Sequence, residues 1–171
     1  MPALKPIQIS GWLKDVNDNF DTLEPLMSGD LAAGGLGVLR VARFVYDTAE
    51  LDSAGAANTA VGAHGTGVTL PAHAIIVGGF FDVNTAFTSS ASGQLAISVQ
   101  GANDIQSAAA VSGAPFSTIG RKAIVPKANT PESTSVKTTA AKEITCTVSV
   151  GALTAGKLTG YLYYVEGVVS A

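Results

Sequence analysis

Two hydrophobic periods run along this chain, and they divide it. Leu13, Val16, Phe20 and Leu23 recur at steps of 3, 4 and 3 residues, which brings them onto one face of an α-helix. Ser10 can cap the start, and Glu24-Pro25 followed by Ser28-Gly29 supplies a stop. The spacing predicts a helix of about four turns. Asn and Asp are poor helix formers and a short helix nucleates at a cost, so this one needs a partner surface. That surface is its own domain, the same helix from other copies, or a host surface. Trp12, Leu13, Val16, Phe20 and Leu23 are the candidate oligomerisation or docking residues. Asp15, Asp18, Asp21 and Glu24 mark the solvated stripe.

From Val38 onward the period becomes two, the repeat of a strand with one buried face. Residues 40–47 are expected as a first strand with Ala42, Phe44 and Tyr46 on one face and Val41, Arg43 and Val45 on the other. Residues 49–66 read as a long loop, and Val68-Thr-Leu before Pro71 reads as an edge strand or a strand end. Residues 73–87 form the longest β-like run. Ile75, Val77, Phe81, Val83 and Phe87 are assigned to one face and Ile76, Phe80, Asp82 and Asn84 to the other, with a bulge or bend at Gly78-Gly79. Leu95, Ile97 and Val99 are expected to face a core, as are Ile144, Cys146, Val148 and Val150. Weaker strands are placed at 104–111 and 118–125, with a polar loop at 129–135. Residues 152–156 are assigned to a turn before a closing strand from Lys157.

Seven or eight short strands without βαβ alternation predict a mainly β protein: an antiparallel β-sandwich, jelly-roll-like, with a short N-terminal helix. Ser28 to Gly37 carries three glycines in four positions at Gly34, Gly35 and Gly37 and is expected as a joint. The domain reading is therefore 1–27 helical arm, 28–37 joint, 38–171 sandwich.

Composition changes this picture in one respect. Of the 171 residues 13% are charged, against about 25% in an average globular domain. A surface so poor in strongly hydrated groups is expected to be covered in part by other protein copies. The net charge of −3 gives no basic footprint for nucleic acid. No apolar run is long enough for a bilayer span, and residues 1–12 lack the apolar core of a secretion signal. A soluble chain assembled in a cytoplasm, without membrane or nucleic-acid partners, is expected.

The candidate chemistry is thin. Cys146 is the single cysteine, on an inward strand face, where it is expected as an inert buried hydrophobe. His64 and His73 are the only histidines and are expected to be solvated loop residues. No hydrolase elbow, phosphate loop, zinc spacing or calcium loop occurs. No catalytic, metal or cofactor residue is assigned, and an enzyme is not expected.

Several phrases carry a family resemblance. Leu70-Pro-Ala-His-Ala-Ile-Ile-Val-Gly-Gly-Phe-Phe-Asp-Val-Asn-Thr-Ala-Phe-Thr-Ser, Ala114-Pro-Phe-Ser-Thr-Ile-Gly-Arg-Lys, Val136-Lys-Thr-Thr-Ala-Ala-Lys-Glu-Ile-Thr and Ala152-Leu-Thr-Ala-Gly-Lys-Leu with Tyr163-Tyr-Val-Glu resemble virion structural proteins of tailed bacteriophages. Residues 13–23 are similar to the helical starts of phage fibre and decoration proteins. The resemblance implies a jelly-roll-like capsid decoration or cement protein, often trimeric, whose partners are its own copies and the major capsid protein and whose location is the virion. It also leaves open a head or tail fibre component, with receptor or carbohydrate binding through loops 49–66 and 126–135. These are turn and strand phrases, so the resemblance transfers no site residues.

Overall fold

The computed structural model describes residues 39–126 and 135–166. The expected helix, the Gly-rich joint and the docking residues Trp12, Leu13, Val16, Phe20 and Leu23 lie outside the described residues, as does most of the expected polar loop. Eight strands follow one another without a helix among the described residues. They are β1 (Leu39–Asp47), β2 (Gly62–Leu70), β3 (Ala74–Ser89), β4 (Gln94–Ser98), β5 (Gln106–Ala110), β6 (Gly120–Ile124), β7 (Lys142–Ser149) and β8 (Leu153–Glu166).

They form two four-stranded antiparallel sheets, ordered β1-β8-β3-β6 and β2-β7-β4-β5. Four of the ladders pair the first strand with the last, the second with the seventh, the third with the sixth and the fourth with the fifth. Ladders β3–β8 and β4–β7 then complete the two sheets.

Alternation builds the core between the sheets. Ala42, Phe44 and Tyr46 from β1, Leu158 and Leu162 from β8, Leu95 and Ile97 from β4, and Ile144, Cys146 and Val148 from β7 are all buried in one cluster. Phe116, in the connection before β6, plugs it: its ring lies 5.6 Å from Phe81 and 5.8 Å from Phe87. Two glycines make room for aromatic rings. A Cβ at Gly160 would overlap the Phe44 ring, and one at Gly156 would overlap Phe87. Gly156 also has φ +145, a conformation side chains seldom adopt.

The structure corrects the expected pattern in four places. In β3 the register against β8 shifts between Ile76 and Gly78, and the extra residue reverses which side chains point inward. Ile76 is therefore buried, Ile75 half-buried and Val77 51% exposed, while Phe81, Val83 and Phe87 hold their expected inward place. Residues 49–66 are only partly loop, because β2 begins at Gly62 and Leu51 bridges Ala57. The expected turn at 152–156 belongs to β8, which starts at Leu153, and the chain reverses at Ser149–Ala152 instead. Val150 lies in that reversal with φ 69 and is 68% exposed, so it leaves the inward set.

Candidate functional site

His64 is the first candidate reactive group, and the structure moves it from solvent to the interior. Its position in β2 and the inward phase of that strand bury it to 3% exposure. Nδ1 lies 3.0 Å from Asp52 Oδ2 and Nε2 lies 2.8 Å from the Ala60 carbonyl. Both partners are acceptors, so only a ring protonated on both nitrogens makes both bonds at once. Asp52 in turn accepts the Ala54 and Ala56 backbone N–H groups through Oδ1. The Ala56 hydrogen bond, followed by those from His64 and Ala54, holds the Asp52 carboxyl below its usual range. The pair staples the segment between β1 and β2 onto the sheet edge.

In the β2–β7 ladder His64 stands opposite Cys146, which brings Cys146, His64 and Asp52 into one neighbourhood. A cysteine nucleophile needs a thiolate and a histidine nitrogen aimed at its sulfur. Here Nε2 is engaged with Ala60, and Cys146 is fully buried, which pushes its thiol pKa well up. The trio is a buried structural cluster, completed by Tyr46, whose hydroxyl donates to the Asn58 carbonyl.

His73 is half-buried at φ 63 in the turn before β3, and its backbone N–H donates to the Thr138 carbonyl at 2.8 Å. Among the described residues no three His, Cys, Asp or Glu side chains are grouped to hold a metal ion. No helix among them is long and apolar enough to cross a membrane. Two shallow cavities of about 270 and 340 Å³ border the end of β1. The Thr66 hydroxyl at the first and the Thr48 hydroxyl at the second donate to the backbone carbonyls of Ile144 and Gly156.

The surface with the most distinctive character is the outer face of sheet β1-β8-β3-β6. Registers across the sheet align Arg43, Tyr161, Phe80 and Ala123 in one row and Val41, Tyr163 and Gly78 in the next. Tyr161 stacks on Phe80 at 4.8 Å, and Tyr163 meets the same ring edge-on at 6.1 Å. The Arg121 guanidinium lies 4.4 Å over Phe80 while its nitrogens donate to both Asp82 oxygens at 3.0 and 3.1 Å. Leu39, Val41 and Val77 are more than half exposed beside these rings, as is Val125, which directly follows β6. The sequence held a sign of this surface: outside the Leu158 and Leu162 phase, β8 carries Tyr161, Tyr163 and Val165. Strands that are covered on both faces carry apolar residues in both phases.

No protein-family model matches the chain, and no curated protein matches it. Three solved structures share its fold. One is a chain of the acidic stable capsid structure of Helicobacter pylori bacteriophage KHP30, at 11% identity and TM-score 0.50, covering 76% of this chain and 90% of that one. Another is in the capsid of Ralstonia phage GP4, at 16% identity and TM-score 0.52, covering 81% and 90%. A third is in the cyanophage Pam1 capsid asymmetric unit, at 20% identity and TM-score 0.50, covering 80% and 93%. The chain thus has a mainly β, two-sheet fold similar to that of chains found in three phage capsids.

Proposed function

We propose that this protein is a non-enzymatic structural subunit of a tailed-phage virion, a decoration or cement protein that stabilises the head by binding across capsid subunits as a trimer. The observation that carries the reading is the fold likeness to chains from three phage capsid structures, each matched over at least 90% of its own length. The strand pairing supports a jelly-roll description. Pairs first-with-last through fourth-with-fifth are what a long hairpin makes when it is rolled so that alternate strand pairs fall in opposite sheets. Cementing needs contact area and no turnover, and about 1,600 Å² of total buried surface suffices for stable attachment.

In this reading residues 1–27 form the oligomerisation or docking arm, with Trp12, Leu13, Val16, Phe20 and Leu23 as its contact side chains, and 28–37 form the joint. The partners are copies of this chain and the major capsid protein, with no cofactor, nucleic acid or membrane. A fibre component that binds receptor glycans is the competing reading. It has less support, because loop 49–66 contains no aromatic residue to stack on a sugar. The test is to compare the full chain with one lacking residues 1–27, by light scattering and by co-sedimentation with capsids. The truncated chain is expected to keep its β spectrum and to lose both the higher subunit count and attachment. Equal subunit counts and equal capsid binding for the two chains would overturn the proposal.

A further inference from the structure

The two outer faces of the protein differ in chemistry. On sheet β2-β7-β4-β5 the central strand β7 presents Thr145, Thr147 and Ser149 outward, groups that water hydrates well. On sheet β1-β8-β3-β6 the corresponding face presents Val41, Tyr163, Phe80 and Val77, with Leu39 and Val125 at its ends. With strands about 4.8 Å apart and residues about 3.4 Å apart along them, this apolar area is roughly 300–400 Å². That lies within the range of the largest apolar patch on a typical monomer, which is often a functional one. It is also about half of what one partner contributes to a standard interface, the proportion expected of an apolar core inside a polar rim.

We propose that the outer face of sheet β1-β8-β3-β6, centred on Val41, Tyr163 and Phe80, is where copies of this chain meet one another. This rests on the assembly reading above and names its surface. Charge favours a second copy as the occupant. Asp82 pairs with Arg121, Asp47 with Lys157 at 2.9 Å and Arg40 with Glu166 at 3.1 Å. Arg43, exposed in the Tyr161 row, is the one charged side chain of this face without an ion pair among the described residues, so a second copy meets a field little stronger than that of a single cation. Connectivity favours it too. The proposed oligomerising arm and its joint run directly into Leu39, a residue of the patch, so association of the arms raises the local concentration of the faces. A sugar fits the surface poorly: stacking with Tyr161 and the Arg121 guanidinium occupies the Phe80 ring.

The test uses the full chain with Val41→Glu and Val77→Glu together, both more than half exposed, and Thr147→Glu on the opposite face as control. Thermal melting checks that each remains folded. Sedimentation equilibrium reads self-association, and pelleting with capsids is measured separately. The wild type is expected to associate, the double variant to associate about 100-fold more weakly because the contact would then bury two carboxylates per copy without partners, and the control to behave as wild type. A monomeric wild type, or a folded double variant with wild-type association, overturns the proposal. A double variant that keeps its subunit count but no longer pellets assigns the face to the capsid protein, which also overturns it and leaves the cement reading intact. If the double variant dissociates while the wild type fails to pellet, the cement reading fails and the self-association face stands.

Discussion

His64 is bonded to two acceptors in the interior, and deleting such a side chain leaves a buried carboxylate and a carbonyl without their donor. His64→Leu is therefore expected to cost about 1–3 kcal/mol, read as a lowered denaturation midpoint with an unchanged fold. The partner carboxyl sets an acid limit. Asp52 is lowered by the Ala56, His64 and Ala54 hydrogen bonds, and Asp47 is lowered first by the Lys157 ammonium. Carboxyls depressed on folding contribute stability above their unfolded value near pH ~4, and that contribution is lost as pH falls through the lower folded values. Melting temperature is thus expected to fall on acidification below pH ~4, and less steeply in Asp47→Asn. Cys146 belongs to the same scale. Its burial and raised thiol pKa predict that a thiol reagent labels the folded protein no faster than it unfolds. Rapid labelling under native conditions would contradict the buried placement.

At the scale of elements, β3 offers the sharpest test because its two halves point in opposite phases around Gly78. Ile76→Ala is expected to cost about 2–5 kcal/mol, whereas Val77→Ala stays within about 1 kcal/mol. Chemical denaturation of the two variants decides between the observed phase and the one read from the sequence, in which Val77 is the buried residue. The difference between reading and structure has a physical origin here. Gly78-Gly79 announces a bulge, but the local pattern of Ile75, Ile76 and Val77 is apolar in both phases, and only the ladder with β8 selects one. In β7 apolar and polar positions alternate cleanly and the inward residues were legible, as were Leu95 and Ile97 of β4 and Ala42, Phe44 and Tyr46 of β1, although Leu39, Val41 and Val45 make the outer side of β1 apolar as well. His64 was not, since its burial depends on Asp52 twelve residues away and on the Ala60 carbonyl. Gly156 shows the same limit. A turn signal in sequence, it serves instead as the hollow under Phe87. Its neighbour in role, Gly160, predicts that Gly160→Ala destabilises the protein by about 1–3 kcal/mol through overpacking against Phe44.

For the whole molecule, the β class and the number of strands follow from turn spacing and alternation, whereas the sheet orders do not, because they depend on pairing between distant segments. The aromatic outer face was hidden for a related reason. Phe80, Tyr161 and Tyr163 lie 81 and 83 residues apart in the chain and meet only through the β3–β8 ladder. A scarcity of charge had already pointed to covered surface, and the structure locates an apolar area suited to it on one sheet. A core of packed apolar side chains, a hydroxyl-rich face and an aromatic face are what the proposed contact role would draw on. An image reconstruction of intact phage particles produced with this chain tests that account most directly. The account predicts density for the two-sheet domain on the head, clustered with its own copies through the aromatic sheet and straddling capsid subunits. Density confined to a tail or fibre tip, with that sheet turned to solvent, would contradict it.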